Sequence, residues 1–275
     1  MTPRAIAIAP ITTPELAPPD MVTVAARTGY SHVGLRMLPS TPDGFAWPLC
    51  DDPALLRETQ ARLRDTGVGV LDIDIIRLRE DTDPAAFRPM LEAGAGLGAV
   101  GVLVAADDAD FGRLAANFAA LCALAAPSGL SINIEFMPWT AVPDLAAAVR
   151  LLRAVDQPNA GILVDTLHVD RSDTPIADLA SLPLAWLHYM QICDAPAEKP
   201  ASVEAMIHCA RAERLFPGEG GLDLRAMLDA LPRDLPISVE VPRETMARTV
   251  GAEQRAAMAL KATLNSLSTL GGGEG

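Results

Sequence analysis

Four oxygen-bearing side chains stand where short apolar runs end. Glu135 closes Ser-Ile-Asn-Ile-Glu, Asp165 closes Gly-Ile-Leu-Val-Asp, Gln191 closes His-Tyr-Met-Gln and Glu240 closes Ile-Ser-Val-Glu. Their separations of 30, 26 and 49 residues each leave room for a strand, a loop and a crossover helix. Acids at the ends of successive strands converge on the mouth of a parallel barrel. Three carboxylates and one amide oxygen make an all-oxygen cup, which suits Mn²⁺ or Mg²⁺ better than Zn²⁺. Such a site fits a neutral polyol or ketone and offers no special pocket for phosphate. The alternative is that each acid faces a loop and is solvated.

Residues two apart in a strand share a face, so Asn133, Leu163, Tyr189 and Ser238 are expected to point inward with the four. Past the strand ends, His168 follows Asp165 by three residues and could bond a substrate hydroxyl, or cap the next helix as an ordinary loop histidine. Arg214 precedes Leu-Phe-Pro-Gly-Glu-Gly, a turn-forming loop, and is a second substrate-binding candidate, or else a surface arginine. His188 has the opposite parity to Gln191 and is expected to face the helical layer as a buried, hydrogen-bonded histidine. Arg36, at the end of the second run, is a candidate to reach the mouth, Tyr189 and Trp139 hint at the pocket, and His32 and His208 carry no signal.

The elements that must position these groups alternate. Strands are expected at about 4–9, 32–37, 68–78, 99–105, 130–136, 160–166, 186–193 and 235–241. Helices are expected at about 20–28, 53–66, 84–95, 109–126, 142–155, 175–182, 222–231 and 245–267. Proline at or near helix starts (Pro53, Pro84, Pro175) and glycine after helix ends (Gly29, Gly67, Gly129) support the boundaries. Eight βα units predict an α/β fold of the (β/α)₈ TIM-barrel type, one domain over 1–270 with a Gly-rich tail at 271–275. A doubly wound sheet would need a Gly-rich first βα turn, and none is present.

The chain has 275 residues, half of them hydrophobic, and a formal net charge of −13. That charge argues against nucleic acid and against anionic membranes as partners. Cys50, Cys122, Cys193 and Cys209 show no metal or redox spacing and read as free thiols. The first ten residues are too short an apolar run for a secretory leader, and Pro10 interrupts it. No run reaches membrane-spanning length, so a cytoplasmic location is expected. Oligomeric state is left open, with a homodimer through exposed barrel helices as the candidate.

At these residues the chain resembles the sugar phosphate isomerase/epimerase superfamily, the xylose isomerase-like barrels, over nearly its whole length. The matching pieces are Ile-Glu-Phe-Met-Pro, Val-Asp-Thr-Leu-His, Gln-Ile-Cys-Asp, Arg-Leu-Phe-Pro-Gly-Glu-Gly and Val-Glu-Val-Pro. The resemblance implies metal binding by Glu135, Asp165, Gln191 and Glu240. In the ketose 3-epimerase branch it also implies substrate contacts for His168 and Arg214. Many members carry histidine where this chain has Gln191, which leaves the choice of metal open. The long segment 194–213 is expected to be a lid or specificity element.

The expected reaction is isomerisation or epimerisation of a ketose or related polyhydroxy ketone through an enediolate, with Glu135 and Glu240 as base and acid. Loss of a β-hydroxyl would make it a dehydratase of a keto-cyclitol or dehydroshikimate-like compound. A non-catalytic sugar-binding barrel is a further alternative. A DNA-repair endonuclease would need a histidine-rich multi-zinc site and a basic surface, and this chain has four histidines and a large acidic excess.

Overall fold

Apolar residues at alternate positions of each strand give two packed layers. Val33, Leu35, Val102, Val104, Ile132, Ile134, Ile162 and Val164 face outward into one continuous core beneath the helices. Their neighbours Ala7, Leu103, Ala105, Leu163 and Tyr189 fill the inside. In the computed structural model, which describes residues 4–268, these layers close into an eight-stranded parallel barrel with strands in sequence order. The strands are β1 (Ile6–Ile8), β2 (His32–Arg36), β3 (Gly69–Leu78), β4 (Gly101–Ala106), β5 (Ser131–Glu135), β6 (Ala160–Asp165), β7 (Met190–Ile192) and β8 (Ile237–Val239). Pairing of β1 with β8 completes the ring. The expected tail at 271–275 lies outside the described residues.

Outside the barrel run α1 (Pro18–Thr28), α2 (Pro53–Thr66), α3 (Arg88–Gly96), α4 (Phe111–Ala125) and α5 (Leu145–Val155). Asp52, Asp110 and Asp144 cap α2, α4 and α5 by accepting from backbone N–H groups of the first turn. Gly29 and Gly67 end α1 and α2 in the left-handed conformation, which a β-carbon would disfavour.

The second half departs from the sequence expectation where local signals are weakest. A short helix α6 (Thr166–Arg171) follows β6 directly, and α7 (Ile176–Leu179) is a single turn. β7 is only three residues long, and Leu184–Trp186 before it winds into a 3₁₀ turn after Pro183. The long segment after β7 is no open loop: it contains α8 (Val203–Ala212), capped by Ser202. The helix α9 (Leu224–Asp229) then precedes β8. The expected last helix is two, α10 (Glu244–Ala247) and α11 (Ala252–Ser268), separated by a turn containing Gly251. No helix among the described residues is long and apolar enough to cross a membrane.

His188 is a correction. Its Nδ1 lies 2.7 Å from Asn133 Oδ1, on the barrel side rather than the helical side. Residue 188 precedes the regular part of β7, so strand parity does not govern it. Gly161 leaves the room: a β-carbon there would stand 2.3 Å from His188 Nδ1 and 2.4 Å from Asn133 Oδ1. Asn133, Leu163, Tyr189 and Ser238 are buried, as inward-facing residues should be.

Candidate metal centre

Glu135 is the last residue of β5 and Asp165 the last of β6, so both carboxylates sit at the C-terminal mouth. Asp165 has a second task as the N-cap of α6, accepting from Leu167 N at 2.7 Å. That cap starts the helix at once and brings His168 round over the mouth. His168 Nε2 stands 3.4 Å from Glu135 Oε1 and 4.0 Å from Asp165 Oδ2. Trp139 packs edge-on against the imidazole at 5.2 Å between ring centroids. Ligand atoms of Glu135, Asp165 and His168 all lie within 4.8 Å of one another.

Glu240, one residue beyond β8, faces them. Its Oε1 accepts from Gln191 Nε2 at 3.0 Å and its Oε2 pairs with Arg214 Nη2 at 2.8 Å. Arg214 also donates through Nη1 to Asp165 Oδ2 at 2.7 Å and through Nε to Ala210 O at 2.8 Å. One buried guanidinium therefore bridges the acids of β6 and β8. The loop carrying it is built by Asp194, whose carboxylate accepts backbone N–H bonds from Ala195, Gly218, Gly220 and Leu222 at 2.8–3.1 Å. Four donors on one buried acid fix the Pro-Gly-Glu-Gly turn.

Electrostatics follow from burial. Desolvation raises Glu240 well above the usual carboxylate range; Arg214 opposes this, while Glu135 and Asp165 add to it. Burial also works against ionisation of Asp165, but Arg214 and His168 outweigh it and hold the group below its ordinary value. The Cys193 thiol beside Arg214 is pushed up to about 12 by burial, so it stays protonated and inert.

The sequence reading missed the acids on β3. Asp72 and Asp74 alternate within the run 70–76 and are both buried inside the barrel. Register shifts in β3 also admit Leu71 and Ile75 to the interior layer. Arg36, at the end of β2, pairs with Asp74 Oδ2 at 3.0 and 2.5 Å. Tyr189 donates to Asp72 at 3.2 Å. Burial, with Asp74 and Glu135 nearby, pushes Asp72 up to about 8 against the opposing Tyr189 bond and Arg36 charge. The signal was available: two aspartates in an otherwise apolar strand must find buried partners.

The six residues expected from sequence to bind metal or substrate thus meet in one place, but in two groups. Glu135, Asp165 and His168 form the tight cluster; Glu240, Gln191 and Arg214 form a hydrogen-bonded wall beside it. His168, expected to touch substrate, is close enough to the two acids to be a nitrogen ligand. That mixed set widens the choice of metal to include Zn²⁺. A divalent cation fits on two observations. Once Glu240 has lost its proton, three buried carboxylates less one buried guanidinium leave two negative charges, counting the imidazole as neutral. Gln191 Oε1 is buried with no hydrogen-bond partner, which in a folded interior marks an atom awaiting one.

Comparison with known proteins agrees with this architecture. The chain is 33% identical over 144 residues to a 3-dehydroshikimate dehydratase of Pseudomonas aeruginosa, a match covering 52% of this chain and 22% of that protein. The chain therefore spans only about a fifth of that relative's length. The zinc-bound structure of the IolI protein superposes with a TM-score of 0.80 at 21% identity, covering 97% of this chain and 99% of that one. A D-allulose 3-epimerase from Methylomonas sp. gives 0.70 at 16% identity, covering 96% and 99%. At those identities the likeness establishes the fold. The profile of the xylose isomerase-like TIM barrels matches residues 22–264, and the chain belongs to that family.

Proposed function

We propose that the protein is a divalent-metal-dependent enzyme that removes the proton next to the carbonyl of a polyhydroxy ketone. The observation supporting this most directly is the buried cluster of Glu135, Asp165 and His168 beside the Arg214–Glu240–Gln191 wall, three carboxyl groups against a single guanidinium. When bound, the cation would polarise a substrate carbonyl and a neighbouring hydroxyl. Glu135, Asp165, Gln191 and Glu240 would hold it, with His168 as a fifth candidate.

The chain's own groups then divide the work. Among the described residues Glu135 has only His168 within ion-pair reach, so its carboxylate is the least committed and serves as the base. Glu240 is held in place by Gln191 and Arg214 and is raised by burial, which suits it to carry and deliver a proton. Arg214 fixes the spacing of Asp165 and Glu240. His168, braced by Trp139, orients the substrate hydroxyl nearest Glu135.

Return of the proton gives isomerisation or epimerisation. Delivery of a proton to a departing β-hydroxyl gives water and an enone. The sequence reading ranks the first outcome ahead. We rank dehydration first, because the matched half-chain resembles a dehydratase at 33% identity.

Incubating the metal-supplemented protein with ketoses and hydroxylated cyclic ketones in deuterated water tests the reading. The expected results are deuterium at the α-carbon or release of water, and a loss of about 10²–10⁴-fold in Glu240→Gln with ligand binding retained. Wild-type protein that binds such ketones yet exchanges and eliminates nothing would make this a binding barrel.

A further inference from the structure

The small cavity over the cup, about 50 Å³, opens beside a larger one of about 280 Å³. Ile11, Arg36, Ser40 and Arg211 line both, so the second volume is the place for the part of a substrate that does not react. Six arginines border the two cavities. Five are committed to carboxylates of the chain: Arg36 to Asp74, Arg77 to Asp107, Arg214 to Asp165 and Glu240, Arg243 to Glu219, and Arg255 to Glu15. Among the described residues Arg211 has neither an ion pair nor a hydrogen bond, although it is half-buried.

We propose that Arg211, carried on α8 at the wall shared by the two cavities, binds a carboxylate on the substrate and so selects a hydroxylated keto acid over a neutral ketose. This rests on the reading above and names the substrate class for the same site. It also reverses the expectation of a purely neutral ligand.

The Arg211 guanidinium has no protein acid to pair with and its N–H groups stay open to the cavity, so they are free to take a ligand. Burial and the nearby Arg77 and Arg36 charges push Arg211 below the usual arginine range, with Asp107 and Glu135 pulling the other way. An incoming anion would pair with those N–H groups and offset the neighbouring Arg77 and Arg36 charges. The last turn of a helix tolerates a cation, which accounts for its placement on α8 but gives its N–H groups no partner. The anion matches a carboxylate better than a phosphate dianion: one uncommitted guanidinium balances one charge and binds it in a two-point fork.

The test compares a dihydroxy-oxocyclohexene carboxylate with its methyl ester in the metal-supplemented wild type, Arg211→Gln and Arg211→Lys. Wild type is expected to favour the acid by roughly 10-fold or more in kcat/KM, the scale of a partly exposed charge-assisted hydrogen bond. Arg211→Gln should lose that factor on the acid, mostly through KM, and change by less than about threefold on the ester; Arg211→Lys should recover part of it. Equal losses on acid and ester, or a wild type indifferent to the charge, would overturn the assignment. Calorimetry with a saturated trihydroxycyclohexane carboxylate, which has no ketone to react, reads the site without turnover. Binding lost in Arg211→Gln but kept in Glu135→Gln supports the anion site even if no ketone is ever converted. Inorganic phosphate competing more strongly than the carboxylate would reassign the site to a phosphorylated ligand and overturn the proposal.

Discussion

Replacing Asp72 by asparagine should make the metal-free protein more stable at neutral pH. The carboxyl is buried in the barrel and pushed from an ordinary 3.8 to about 8. Between those values the folded chain keeps a proton that the unfolded chain has released, so stability falls as pH rises through that window. The slope for one such group is about 1.4 kcal/mol per pH unit. Over roughly four units the ceiling is about 5–6 kcal/mol, which local relaxation should reduce to a few kcal/mol. Asparagine cannot ionise, yet it can still accept the Tyr189 hydroxyl bond, 3.2 Å long in the wild type. Urea unfolding from about pH 4 to 8, in the presence of a chelator, should show a declining midpoint in wild type and a flatter one in Asp72→Asn. The two curves should meet near the acid end. Parallel curves, or a variant that is less stable throughout, would refute the idea that Asp72 is held neutral. The same result bears on the cup: a neutral Asp72 adds no negative charge to that of Glu135, Asp165 and Glu240.

Metal addition is the second prediction. Mn²⁺, Mg²⁺ or Zn²⁺ at a hundred times its Kd should stabilise the fold by about 2.7 kcal/mol, seen as a rise in Tm. Asp165→Asn should abolish the rise, and an unchanged wild-type Tm with all three ions would count against the site. Gly161→Ala should cost about 1–3 kcal/mol, because the new methyl collides with the His188–Asn133 pair at 2.3–2.4 Å. A urea midpoint equal to wild type would show that the barrel floor can yield.

How much of this was legible beforehand depends on the range of the forces involved. Alternation of side chains and the cap and stop residues of helices act over a few positions, so the eight βα units and the acids ending β5, β6 and the eighth run could be read directly. The short helix after Asp165 was overlooked, although Asp165 is its cap. The short elements after residue 165 were misjudged because their ends are set by packing rather than propensity. His188 shows the limit of parity: the rule holds within a paired strand and lapses two residues outside it.

The chain by itself determined the fold and the stations of its acids, because strand period and helix capping are local. Only the closed barrel decided their company. Arg214 reaches Asp165 across 49 residues and Tyr189 reaches Asp72 across 117, pairings that no spacing rule encodes. Arg211 is left without an acid for the same reason: whether a charge finds a partner is settled by which loops meet over the mouth. Desolvation and charge pairing depend on everything within a few ångströms, and that neighbourhood exists only after the ring has closed.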